Sequence, residues 1–273
     1  MATFGVTLDG SDASSTILQA AAPLARAFKA SIALMSALEQ AQLVFDRKSW
    51  LEGVAAGLRD QGIETSIELR IGVADEAILG FIRDKPPVLL AMATHGRRGL
   101  DRLRLGSVAE SVLRRTDVPL LIARPDTAGA RGQAILVALD GSPLGEEILP
   151  DVARLAKATG RPVDVASVSL PAVTAGGVGE FPMYFPKDDP EPYLKGVCGR
   201  LGGDGIQAKP VALSGRAASA LVTYAAESGA GFVALTTHGR TGLRRVLMGS
   251  IAEEVLRNAP CPVLVRRASG ENK

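Results

Sequence analysis

The sequence predicts an α/β fold in two tandem units, each a mainly parallel sheet with helices on both faces. Three observations predict it. The chain repeats itself: THGRRGLDRLRLGSVAESVL, from Thr94 to Leu113, returns without a gap as THGRTGLRRVLMGSIAEEVL, from Thr237 to Leu256, at an offset of 143, the mark of one structural unit used twice. Within each copy, short aliphatic runs alternate with helix-length amphipathic stretches, the order of a sheet joined by right-handed helical crossovers. The chain has 273 residues, 47% of them hydrophobic, enough to bury two cores at roughly 100–200 residues per domain.

In the first copy FGVTL from Phe4, SIALMSAL from Ser31, SIELRIG from Ser66, PVLLAMA from Pro87 and VPLLIAR from Val118 read as strands. Each is short, aliphatic and bounded by turn formers. PVLLAMA, like FVALT from Phe232 in the second copy, is apolar almost throughout, as expected of strands buried on both sides. FGVTLDGSDASSTIL from Phe4 matches ILVALDGSPLGEEIL from Ile135 at an offset of 131 rather than 143, so the second copy carries an insertion of 12 residues. The Pro- and Gly-rich stretch from Pro171 to Tyr193 contains it and reads as a long surface loop. The segment AGARGQ around Arg131 is the expected linker, giving domains of 1–127 and 132–268.

The charge balance is ordinary: 22% charged residues and a formal net charge of +2 call for neither a nucleic-acid nor a membrane partner. Cys198 and Cys261 stand at unmatched places in the two copies, which gives no disulfide framework and suits a reducing cytosol. The start MATFGVTLDGSDASS has no basic region before an apolar one and does not read as a signal peptide. No later run approaches the roughly 20 uncharged residues of a membrane span. A cytoplasmic location is expected.

In an open α/β sheet, ligands bind beyond the carboxyl ends of the strands, and the recurring polar residues fall there. Asp9 and Asp140 each end a first strand as LDGS. Asp-Gly suits a tight turn, and Ser11 and Ser142 suit helix N-caps, with Pro143 at a favoured first position. Those structural roles explain the Gly and Ser; a carboxylate at the strand end in both copies could also accept hydrogen bonds from a ribose or base edge. Gly106-Ser107 and Gly249-Ser250 open the last helix of each copy, where a glycine lets phosphate approach backbone and the helix start offers N–H groups. The words SVAE and SIAE read equally as capping boxes, Ser107 and Ser250 capping while Glu110 and Glu253 reach back. Most of the arginines between, Arg98, Arg102, Arg244 and Arg245 among them, read as a solvated face; Arg97 and Arg240, directly after a glycine, are the exceptions that could meet phosphate. His95 and His238 are the only histidines and stand at matching strand ends, where a structural role fits better than zinc, since no second ligand lies at metal spacing.

These words, in this order and twice over, resemble the universal stress protein family. The resemblance runs from about Thr3 to Pro125 and from Gln133 to Arg267. It implies two tandem Rossmann-like domains of the adenine nucleotide alpha hydrolase-like kind, each a five-stranded parallel sheet. It also implies ATP, with or without magnesium, bound by a Gly, two residues, Gly, nine residues, Gly-Ser pattern. Gly96 to Gly106-Ser107 and Gly239 to Gly249-Ser250 keep the longer spacing, while Ala93 and Thr236 replace the leading glycine. Carried over residue by residue, the expected nucleotide contacts are Asp9, Ala37, Thr94, Gly96, Arg97, Gly106, Ser107 and Val108 in the first copy. In the second they are Asp140, Val168, Thr237, Gly239, Arg240, Gly249, Ser250 and Ile251. The resemblance further implies pairing of the two copies through their last strands as an intrachain pseudo-dimer, and association of two chains. With no Walker A lysine and no placed general base, the expected function is nucleotide-dependent conformational signalling in stress response, with at most slow ATP hydrolysis. The alternatives are an interaction module that has lost nucleotide, working through its surface or inserted loop, and a nucleotidyl transferase, for which the metal ligands or catalytic histidine pair are not seen.

Overall fold

The structure, a computed structural model, describes residues 2–40, 44–94, 105–129, 132–169, 171–173, 184–186, 189–237 and 248–269. The first half runs β1 (Thr3–Thr7), α1 (Asp12–Ser15), α2 (Leu18–Phe28), β2 (Ser31–Leu38), α3 (Val44–Arg59), β3 (Thr65–Ile71), α4 (Ala74–Asp84), β4 (Leu89–Ala93), α5 (Ser107–Arg115) and β5 (Leu120–Ala123). The second runs β6 (Ala134–Ala138), α6 (Pro143–Glu146), α7 (Leu149–Thr159), β7 (Val163–Ser169), β8 (Pro171–Val173), β9 (Tyr184–Pro186), α8 (Glu191–Gly203), β10 (Ala208–Ser214), α9 (Ala217–Glu227), β11 (Ala230–Thr236), α10 (Ser250–Asn258) and β12 (Val263–Arg266). The five strands read in the first copy are all present, each within a residue or two of its expected bounds.

Ten strands form one sheet in the order β10-β7-β6-β11-β12-β5-β4-β1-β2-β3. Within each half all pairs are parallel. Where the halves meet, β12 and β5 pair antiparallel, Leu264 opposite Leu121. One face of the sheet is covered by α2, α3, α7 and α8, which contribute Leu24, Leu51, Leu155 and Leu194 to a core crossing the seam. The other carries α4, α5, α9 and α10, with Phe81, Val112, Leu221 and Val255. At about 1.5–3 kcal/mol for each large side chain taken from water, these two layers supply the main drive for docking helices on sheet.

The seam is nearly two-fold. Helices α2 and α7, which match each other in the repeat, pack together across it. Arg124 donates to the Arg257 carbonyl, and its repeat partner Arg267 donates to the Arg114 carbonyl at 3.1 Å. Each guanidinium therefore meets the negative C-terminal end of the other half's last helix. Arg267 also pairs with Asp117 at 2.5 Å. Cys198 and Cys261 are both free thiols, and burial pushes the Cys261 thiol up to about 12.

Two expectations are corrected. The Pro171 to Tyr193 stretch is not one irregular loop: β8 and β9 form a separate antiparallel ladder, Ala172 opposite Phe185, and Tyr193 already belongs to α8. The two prolines lie opposite each other at the end of the ladder, a position where proline is tolerated. The SVAE and SIAE words are not capping boxes either. Gly106 and Gly249 are the N-caps, with no side-chain cap bond, and the serines stand at the first helical position. With the glycines as caps, Glu110 and Glu253 stand one position too far along the helix for the box, and their own N–H groups donate to the Gly106 and Gly249 carbonyls; the Glu253 side chain pairs instead with Arg257.

Replacing Arg124 and Arg267 by alanine should each lower the unfolding free energy by about 1–2 kcal/mol, the scale of a charge-assisted hydrogen bond, read from urea titration. Wild-type midpoints in both variants would show that these contacts do not hold the seam.

Candidate functional site

In the first half the chain leaves β1 outward to β2 and β3, then returns to the other side of β1 as β4 and β5. Strand order therefore reverses between β1 and β4, and likewise between β6 and β11, which opens a crevice beyond their carboxyl ends. Asp9 and Thr94 follow the strands that flank the first crevice; Asp140 and Thr237 follow those that flank the second.

The two aspartates sit in matching turns. Gly10 and Gly141 take φ of 82° and 79°, a left-handed conformation that glycine adopts without a Cβ clash. Asp9 Oδ1 accepts from the Ser11 N–H at 2.9 Å and its hydroxyl at 2.6 Å. Asp140 Oδ1 does the same with Ser142, at 3.0 and 2.7 Å. The serine hydroxyls in turn accept the Ser14 and Gly145 N–H groups as N-caps, the role expected of them. Each carboxylate is thereby fixed at the crevice wall by the chain that follows it. The Tyr193 hydroxyl pKa is raised first by burial and then by Glu146 and Asp140.

Across each crevice the last helix is tied back to the strand before it. Gly106 N–H donates to the Thr94 carbonyl and Gly249 N–H to the Thr237 carbonyl, both at 2.9 Å. A Cβ on Gly106 would lie 2.5 Å from the Thr94 oxygen, closer than such atoms approach, so the tie requires glycine. It brings the positive end and first N–H groups of α5 and α10 to the strand ends. Ser107 and Ser250 are exposed there, Val108 is half-buried and Ile251 exposed. The Thr237 hydroxyl accepts the Ala268 N–H at 3.1 Å, holding the segment after β12.

The structure thus brings Asp9, Thr94, Gly106 and Ser107 to one crevice, and Asp140, Thr237, Gly249 and Ser250 to the other. Ala37 and Val168 lie inside β2 and β7, opposite Arg70 and Leu213, and pack on the face of α4, α5 and α9. Gly96, Arg97, Gly239 and Arg240, with His95 and His238, lie outside the described residues. Sequence reasoning missed the Thr94–Gly106 tie, which has no side-chain signal, and it missed Arg47. Arg47 is 7% exposed and carried a signal: it stands in register with the apolar stripe Leu51, Ala55 and Leu58 of α3. Among the described residues no group of three acidic, His or Cys side chains is placed to hold a metal, and no helix is long and apolar enough to cross a membrane.

Gly106→Ala should lower thermal stability, at a cost of about 1–3 kcal/mol for forcing the backbones apart. An unchanged melting temperature would mean that α5 is not held by this tie.

A sequence model of the universal stress protein family matches residues 1–124 and 132–267. A universal stress protein of Mycobacterium tuberculosis is 32% identical over 190 residues, 66% of this chain and 62% of that relative. Another, from Methanocaldococcus jannaschii, is 33% identical over 135 residues, 48% of this chain and 79% of its own length. The chain therefore aligns with less than two thirds of the mycobacterial relative. Among solved structures, a universal stress protein of Archaeoglobus fulgidus superposes with a TM-score of 0.77 at 21% identity, covering 97% of this chain and 98% of its own, which speaks for the fold. With both halves matched in order and nearly end to end, the chain belongs to the universal stress protein family.

Proposed function

We propose that this chain binds adenine nucleotide, ATP with or without magnesium, in the crevices of its two halves, and acts in stress response by conformational signalling. The observation that carries the reading is the duplicated geometry. A strand-end aspartate faces, across a switch point, a glycine-capped helix whose start is fastened to the neighbouring strand. Such a crevice has an acceptor for ribose or base on one wall and a phosphate cradle on the other. Asp9 and Asp140 take the first role. The starts of α5 and α10, with Ser107 and Ser250, take the second. Ala37 and Val168 line the base side, Thr94 and Thr237 form the strand-end wall, and Val108 and Ile251 follow the cradle. For Gly96, Arg97, Gly239 and Arg240 the reading keeps the nucleotide contacts that the family pattern assigns to them. The pairing of β5 with β12 reads as a pseudo-dimer within one chain, and two such chains can associate in turn. The proposed location is the cytoplasm. With no Walker lysine, nucleotide would act as a ligand, turned over slowly if at all.

A second reading, an interaction module without nucleotide, has one observation in its favour. Thr236 stands where the family pattern has its leading glycine, 8% exposed at the end of β11, so a β-branched side chain occupies ground that the pattern leaves to backbone.

Asp9→Asn together with Asp140→Asn should weaken ATP binding by at least about tenfold, roughly 1.4 kcal/mol, by isothermal calorimetry. Ser107→Ala with Ser250→Ala should give a smaller loss of about threefold to tenfold, the scale of one neutral hydrogen bond per site. Full wild-type affinity in both double variants would remove the site assignment.

A further inference from the structure

We propose that Arg47 is a positioning residue of the first crevice alone: its buried guanidinium buttresses the Asp9-Gly10 turn from behind, so that the two halves bind the same nucleotide with different affinity. The proposal rests on the nucleotide reading above. Arg47 projects from the first turns of α3 and donates from Nη1 to the Ser36 hydroxyl at 2.7 Å. Its guanidinium carbon lies 5.7 Å from the centre of the Trp50 ring. A Cβ built on Gly10 would meet the Arg47 Cζ, Nη2 and Nε atoms at 2.6, 2.7 and 2.9 Å, so the guanidinium fills the space directly against the turn.

The side from which it arrives matters. Leu8 packs in the core beneath α2 and α3, and the Leu8 N–H donates to the Met35 carbonyl, which continues the β1–β2 register to place Ser36 on the α3 face. Met35 and Ala37 lie on the opposite face, towards α4 and α5. Arg47 therefore backs the turn without entering the space in front of Ala37. Taking a guanidinium out of water is costly unless its hydrogen bonds are made, and a group so held is stiff. It ties the end of β2, the N-terminal part of α3 and the turn carrying Asp9 into one unit, and a ligand that hydrogen-bonds to Asp9 then has less ordering left to do.

At the matching position the second half carries no guanidinium. Leu51, Val54 and Leu58 of α3 align with Leu194, Val197 and Leu201 of α8 at the offset of 143, and Arg47 falls on Pro190. Pro190 is the residue before the first of α8 and has no group that could reach Ser167, the match of Ser36.

The test isolates each crevice. ATP affinity is measured by calorimetry in an Asp140→Asn background, which leaves the first site, and in an Asp9→Asn background, which leaves the second, each with and without Arg47→Ala. The expected result is a loss of about tenfold or more in the first background and no change in the second. Arg47→Lys, which keeps charge and reach, should recover part of the loss, and circular dichroism melts check folding. Should Arg47→Ala not fold, Arg47→Gln replaces it, retaining a donor for Ser36 without the charge. Equal affinity with and without Arg47 in the Asp140→Asn background overturns the proposal, as does an equal loss in both backgrounds or a gain in the first. Binding in the Asp9→Asn background but none in the Asp140→Asn background overturns it while leaving the nucleotide reading for the second half. No binding in any variant or in the wild type overturns both.

Discussion

Each half of this protein ends on a strand, β5 or β12, whose outer edge is a row of backbone donors and acceptors that must find partners. The chain satisfies both rows by setting one against the other, Val263 to Ile122 and Val265 to Leu120. That single ladder turns two five-stranded sheets into one of ten strands. It also fixes the pseudo-two-fold relation that sets α2 against α7 and lets Arg124 and Arg267 reach the helix ends of the opposite halves. Both crevices lie one strand pair in from the seam, between β4 and β1 and between β11 and β6. The helices whose starts face the crevices, α5 and α10, are the same helices whose C-terminal ends the seam arginines meet. On the proposed nucleotide reading, the seam and the crevices would be linked through these two short helices.

Around this shared frame the copies have diverged. In the second half Asp164 of β7 is buried with the Tyr224 hydroxyl at 2.8 Å and Lys209 at 3.4 Å; the matching positions of the first half are Ala33, Phe81 and Ser66. Asp151, buried in α7 against Arg266 and Arg154, matches Ala20. Ion pairs between a buried carboxylate and a more exposed cation are poor evidence of added stability, because desolvating the acid offsets much of the attraction. What they show is that the repeat retains backbone devices, namely the left-handed glycine turn, the serine cap and the glycine tie, while the side chains behind them change. Arg47 and Pro190 belong to that second class.

The fold was legible because it depends on periodicity. Strand runs such as SIALMSAL and PVLLAMA, bounded by turn formers, lie within a residue or two of the observed β2 and β4, and the LDGS words fold as the turn and cap they spell. The strand-end turns of the candidate site were legible where side chains carry them, as at Asp9 and Asp140. The site was not legible where backbone carries it. The Thr94 carbonyl to Gly106 N–H bond leaves no mark beyond a glycine, and SVAE reads as a capping box because the cap residue and the first helical residue differ by one position. The β8–β9 ladder was hidden by Pro171 and Pro186, which argue against a strand until the pairing shows them at its end. Arg47 was hidden because its meaning depends on Gly10, 37 positions earlier in the chain.

The central claim is that the duplicated crevices are nucleotide sites. Native mass spectrometry of the gently purified protein, recorded with and without added ATP and magnesium, tests it most directly. Nucleotide mass added to the chain, one or two per molecule, is the result this account predicts, with unequal filling of the two sites as ATP is raised. A mass that does not change at millimolar ATP would contradict it and return attention to the surface and the inserted stretch.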